Sequence, residues 1–125
     1  LDELQPQRIE HGVRAGENPA VVEEIKRRGI ALDMCPISNH KLMPGISLEN
    51  HPIRRLFDAG VKITLSTDDP ISFGNTVTDE YVAVAKRSGF SRMELVRLAR
   101  NGFEVALLTE TQKKPWLDQL EALRP

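Results

Sequence analysis

The chain has 125 residues, 40% of them hydrophobic and 28% charged, with a formal net charge of -1; that suffices for one domain with a real core and is too short for two. The near-neutral balance removes the electrostatic case for a nucleic-acid or membrane-surface partner, and no apolar run approaches the length that spans a bilayer. One cysteine, Cys35, excludes an internal disulfide and suits a reducing compartment, so the expected location is the cytoplasm.

The sequence begins at Leu1 rather than Met and leads almost at once into a strand at residues 8–10, which reads as a chain entered partway through a fold. That strand ends at His11-Gly12. Asn18-Pro19 then opens a helix, because Asn caps well and Pro tolerates the first helical position. Val21, Val22 and Ile25 give this helix its apolar side, and Gly29 ends it. Residues 30–34 form the second predicted strand, stopping at Cys35-Pro36, with a loop expected through Ser38-Asn39 and Pro44-Gly45. His51-Pro52 opens a helix carrying Ile53, Leu56 and Phe57 at helical spacing, closed by Gly60.

The third strand covers 61–65 and stops at Thr67-Asp68-Asp69-Pro70. A helix over 79–87 follows, then one from Ser91 through about Leu108, with Ser91 and Glu94 as a capping box. A last helix is expected over 116–123. Strand and helix alternating at this pitch argue parallel strands with right-handed crossovers. Two architectures satisfy that pattern: an open doubly wound sheet, or a piece of a (β/α)8 barrel. No Gly-rich phosphate fingerprint follows any strand.

The chemically capable residues fall just after strand ends: His11, residues 35–39, and Asp68-Asp69. In parallel α/β folds such positions converge on one rim. Adjacent carboxylates repel unless their roles are separated, for instance by a metal on one and a substrate donor on the other; equally, Asp69-Pro70 can be a turn with Asp as its cap. His11 can be a metal ligand, a proton-transfer group, a partner to a developing anion, or a hydrogen-bonded rim histidine. His40 and His51 read as structural or exposed, with His51 where a helix cap would stand. Cys35 reads as packing at a strand end.

Three segments in order, Arg8-Ile9-Glu10-His11-Gly12-Val13-Arg14, Cys35-Pro36-Ile37-Ser38-Asn39 and Leu65-Ser66-Thr67-Asp68-Asp69-Pro70, resemble the adenosine and adenine deaminase family. Phe73-Gly74 and Asp79-Glu80-Tyr81 continue the match. The resemblance implies an α/β fold that is the C-terminal portion of a (β/α)8 TIM barrel, about three βα units plus terminal helices. The whole of 1–125 would then be one partial domain lacking its N-terminal half. It further implies one zinc ion activating water to attack C6 of a small-molecule purine and release ammonia. By motif, Asp68 would be a zinc ligand, Asp69 would bond the purine nitrogen N7, and His11 would orient and stabilise the attacking hydroxide.

The family's zinc site also takes a His-x-His pair, another His, and a glutamate three residues beyond it. This sequence has three histidines, none in that pairing, so the isolated chain is expected to be inactive. Adenosine is the favoured substrate, with adenine or aminodeoxyfutalosine as alternatives. A different class of function is a non-catalytic half-barrel module that self-associates or pairs with a partner through its bare sheet edges. Nothing in the residues sets the oligomeric state.

Overall fold

Three short parallel strands, β1 (Arg8–Glu10), β2 (Ala31–Met34) and β3 (Lys62–Leu65), lie in the order β1-β2-β3. The structure is a computed structural model describing residues 1–123. Ile9, Leu32 and Ile63 stand in register across the sheet. Their side chains share one face by the two-residue strand period and enter a core with Ile25, Ile53, Leu56, Val84 and Leu98. The opposite face carries Arg8, Glu10, Asp33, Lys62 and Thr64, with the Thr64 hydroxyl donating to Asp33 Oδ1 at 2.6 Å.

The crossovers form for local reasons. After β1, residues Val13–Glu17 make a 3-10 turn that the sequence did not announce. Asn18 caps α1 (Pro19–Arg28) by accepting from Ala20 N–H at 3.0 Å, with Pro19 at the first helical position. Gly29, at φ 67, lets the chain reverse so that Ile30 N–H returns to Ile25 O at 3.0 Å. The chain then enters β2 one residue later than expected.

The stretch read as a loop after β2 is instead a helix, α2 (Pro36–Leu42). Ser, Asn and His are weak helix formers and Cys35 offers no side-chain cap, so local propensity does not reveal it. The next helix, α3 (Ile53–Asp58), runs as expected into β3. A short turn of helix, α4 (Pro70–Phe73), follows the aspartate pair.

Thr76 and Asp79 form a capping box that starts α5 (Val77–Arg87) two residues before the expected point. Ser91 and Glu94 cap α6 (Arg92–Val105) as anticipated, although it stops short of Leu108. The final helix, α7 (Glu110–Glu121), starts six residues early. Thr109 and Gln112 cap it, and Pro115 lies inside it rather than marking its start.

α6 packs along β3, where the Asn101 amide donates to Ile63 O at 2.8 Å. Arg54 ties α3 to α6: its guanidinium lies 4.3 Å from the Phe90 ring centre and bonds Glu94 at 2.8 Å. Among the described residues no helix is long and apolar enough to cross a membrane.

Candidate active site

All three strands end on the same rim, and the backbone there is held in an unusual conformation. Among the described residues only Gln5, His11 and Asp68 are non-glycines with positive φ, at 44°, 58° and 60°. For an L-residue this left-handed region costs energy and persists only where the surroundings enforce it. Two of the three positions are therefore the strand-end residues that sequence pattern singled out independently.

His11 Nε2 lies 3.7 Å from Asp68 Oδ2. The two line a depression of about 370 Å³ together with Gly12, Val13, Arg14, Ser38, Asn39, Leu42 and Met43. The Ser38 hydroxyl donates to Asp68 Oδ2 at 2.5 Å. Asn39 sits between two imidazoles. Its Nδ2 donates to His11 Nδ1 at 3.3 Å, and its Oδ1 accepts from His51 Nε2 at 3.1 Å. This pairing assigns the proton of His11 to Nε2, the nitrogen turned toward Asp68.

The sequence motif held Ser38 and Asn39, but their function as supports was not legible while α2 read as a loop. Both are buried, on the first turn and a half of α2. His51 acts as the expected helix start: its Nδ1 accepts Ile53 N–H at 3.1 Å. Burial pushes its pKa down to about 4, and with Nδ1 already accepting, a second proton would meet a donor. His40 donates from Nδ1 to Ile46 O at 3.0 Å, a loop contact away from the rim.

Asp69 is not brought to the depression. Its Oδ1 accepts Ile71 and Ser72 N–H, both at 3.1 Å, and its Oδ2 accepts the Ser72 hydroxyl, so it caps α4. Those donors, the Ser72 hydroxyl first, hold its carboxyl below the ordinary range. Cys35 is buried, and burial, followed by the Asp33 and Asp68 carboxylates, pushes its thiol up to about 12. It is no nucleophile at neutral pH.

Behind the rim lies Glu80, fully buried on α5. Its Oε2 accepts Ile37 N–H at 3.1 Å and its Oε1 accepts Asn75 Nδ2 at 2.7 Å. Burial outweighs these two donors and raises its pKa to about 7. Asn75 Nδ2 also donates weakly to Thr67 O at 3.4 Å, while its buried Oδ1 finds no partner. No sequence signal marked Asn75, and Glu80 entered only as part of a matching string.

Whether these residues fit a zinc ion follows from the donor set. Among the described residues, no three His, Cys, Asp or Glu side chains converge in a way that could hold a metal, whereas a zinc site takes about four ligands. Asp68 fits one ligand position, and the chain's own residues do not complete a site. What the rim offers chemically is a carboxyl group steadied by a hydroxyl, beside an imidazole N–H of fixed tautomer.

The chain is similar to known proteins. The family model for adenosine deaminase matches residues 1–123. The adenine deaminase of Cupriavidus necator is 43% identical over 121 residues, covering 97% of this chain and 34% of that protein. The adenine deaminase of Acinetobacter baylyi is 37% identical over 123 residues, covering 98% of this chain and 37% of the relative. This chain thus spans about a third of the length of the relatives it matches.

Among solved structures, adenine deaminase from Arthrobacter aurescens superposes with a TM-score of 0.92 at 31% identity, covering 98% of this chain and 37% of that one. An amidohydrolase from Burkholderia ambifaria with bound Zn superposes at 0.78 with 25% identity, over 93% of this chain and 35% of the other. The fold is accordingly the C-terminal portion of a (β/α)8 barrel, one of the two architectures the strand pattern left open and the one the motif resemblance implied. With its three motifs in order on one rim and a family match over nearly its whole length, the chain belongs to the adenosine deaminase family.

Proposed function

We propose that the chain supplies one rim of a purine deaminase whose complete barrel hydrolyses adenine to hypoxanthine and ammonia. The observation that carries this reading is the His11–Asp68 pair, 3.7 Å apart with both backbones left-handed. Asp68 provides one zinc ligand, with Ser38 occupying its Oδ2 and so fixing the carboxylate plane. A bound zinc would make hydroxide available near neutral pH. His11 presents its Nε2 proton to an anion lying beside Asp68, and Asn39 prevents the ring from turning the wrong nitrogen forward.

Adenine is preferred here to the adenosine expected from sequence alone, because the relatives above are named for adenine.

The test is a chimera in which this chain replaces the matching segment of the Cupriavidus necator relative, assayed by ammonia release from adenine and from adenosine. The isolated chain is expected to release none. The chimera is expected to be active, with Asp68→Asn and His11→Gln each lowering kcat about 100-fold or more. A folded, zinc-loaded chimera that deaminates neither purine, or one indifferent to Asp68 and His11, refutes the reading.

A further inference from the structure

His11 and Asp68 follow different strands, and one buried side chain is bonded to elements that support both. Glu80 caps α2 from 43 residues away. The helix has no local side-chain cap, and Ile37 N–H is among the first-turn donors that a helix leaves without an intrahelical partner. Through Oε2 the carboxylate therefore holds the turn bearing Ser38 and Asn39, the contacts of Asp68 and His11. Through Oε1 it holds Asn75, which reaches Thr67 O, immediately before the left-handed Asp68.

We infer that Glu80 is a positioning residue for the His11–Asp68 pair, locking the first turn of α2 to the loop after β3 through a single buried carboxylate. This rests on the reading of His11 and Asp68 as a working pair, but the geometry it asserts needs neither purine nor metal. Three features favour positioning over generic packing. The side chain is fully buried, and both of its oxygens are engaged, one by each arm. An apolar residue of the same size would keep the volume and lose both arms. Glu80 touches neither His11 nor Asp68; it acts through Ile37 and Asn75.

The experiment uses the full chain, labelled with nitrogen-15, as wild type, Glu80→Met and Glu80→Gln. Amide hydrogen exchange is read at Ile37 against Leu32 and Ile63, and the His11 tautomer from its ring nitrogen shifts. Glu80→Met is expected to speed Ile37 exchange about tenfold or more relative to the two strand amides. It should also convert His11 from the Nε2–H form to a mixture of tautomers. Glu80→Gln keeps one acceptor, so Ile37 protection and the tautomer should be rescued to within about threefold of wild type.

An unchanged tautomer in Glu80→Met overturns the proposal, whether Ile37 stays protected or all three amides loosen in parallel. If that chain does not fold, Asn75→Ala cuts only the second arm. It should then shift the Thr67 and Asp68 amides more than those of Ile37 and Ser38, and a uniform or reversed pattern overturns the lock. Because the readouts contain no substrate, an inactive chimera with a positive exchange result refutes the deaminase reading alone.

Discussion

His51 and Glu80 titrate in overlapping ranges with opposite effects on stability, and removing each in turn separates them. His51 moves from an ordinary 6.5 down to about 4. Between those values the unfolded chain binds a proton that the native chain refuses, so stability rises with pH. Glu80 moves from 4.5 up to about 7; there the native chain keeps the proton longer, and stability falls as pH rises. Each shift corresponds to about 3 kcal/mol in total, with a slope approaching about 1.4 kcal/mol per pH unit mid-range.

The wild type should therefore be nearly level between 4.5 and 6.5. His51→Asn, which keeps a capping oxygen for Ile53, leaves the Glu80 slope, and stability should fall with rising pH. Glu80→Gln leaves the His51 slope, and stability should rise. Glu24 and Glu94, held at about 2 by arginine partners, contribute above 4.5 and lose that contribution only at lower pH. Urea denaturation of all three chains at constant ionic strength, stepped through the interval, gives the slopes. Two variants with slopes of the same sign would refute the reasoning.

Two further outcomes are expected. Gly12→Ala places a Cβ 2.7 Å from Leu32 Cδ2 at φ 67, whereas Gly89→Ala has the same left-handed demand, φ 73, and nothing within 4 Å. The first should cost about 2–4 kcal/mol in urea denaturation and the second about 1 kcal/mol; equal costs would dismiss the Leu32 contact. Cys35, with its thiol at about 12, should alkylate at about pH 8 at least about a thousandfold more slowly in the native chain than in urea. Comparable rates would show the thiol to be exposed.

The strands were legible to within a residue because each is short and stops at a chemically distinct residue: His11, Cys35 and the Thr67-Asp68-Asp69-Pro70 turn. The helix caps at Asn18 and Ser91 were legible because capping is local chemistry. What escaped was held by contacts distant in sequence. α2 has its cap on α5, so nothing near Cys35 announces it. α7 begins six residues before the expected start because Thr109 and Gln112 cap it there, with Pro115 lying inside the helix. At the site, His11 and Asp68 could be picked out by position after strands, but not their supports. Asn39 and Asn75 matter through the direction an amide faces, which no linear pattern records.

The polar face of the sheet has a consequence for how a third of a barrel persists in water. The helices pack their apolar residues against the Ile9, Leu32 and Ile63 side of the strands, while Arg8, Glu10, Asp33 and Lys62 fall on the other, together with the buried Ala31 and Thr64, and Lys62 pairs with Glu104 of α6. A wedge cut from a barrel with a greasy lumen would bare that lumen and clump. This wedge instead carries mixed-sign side chains on that face, with Arg8 and Glu10 exposed at its edge, so matched charge joins water release in any adhesion there. Assembly into a larger cylinder would then be sensitive to salt and acidity, with Glu10 already raised by partial desolvation and the adjoining Asp33.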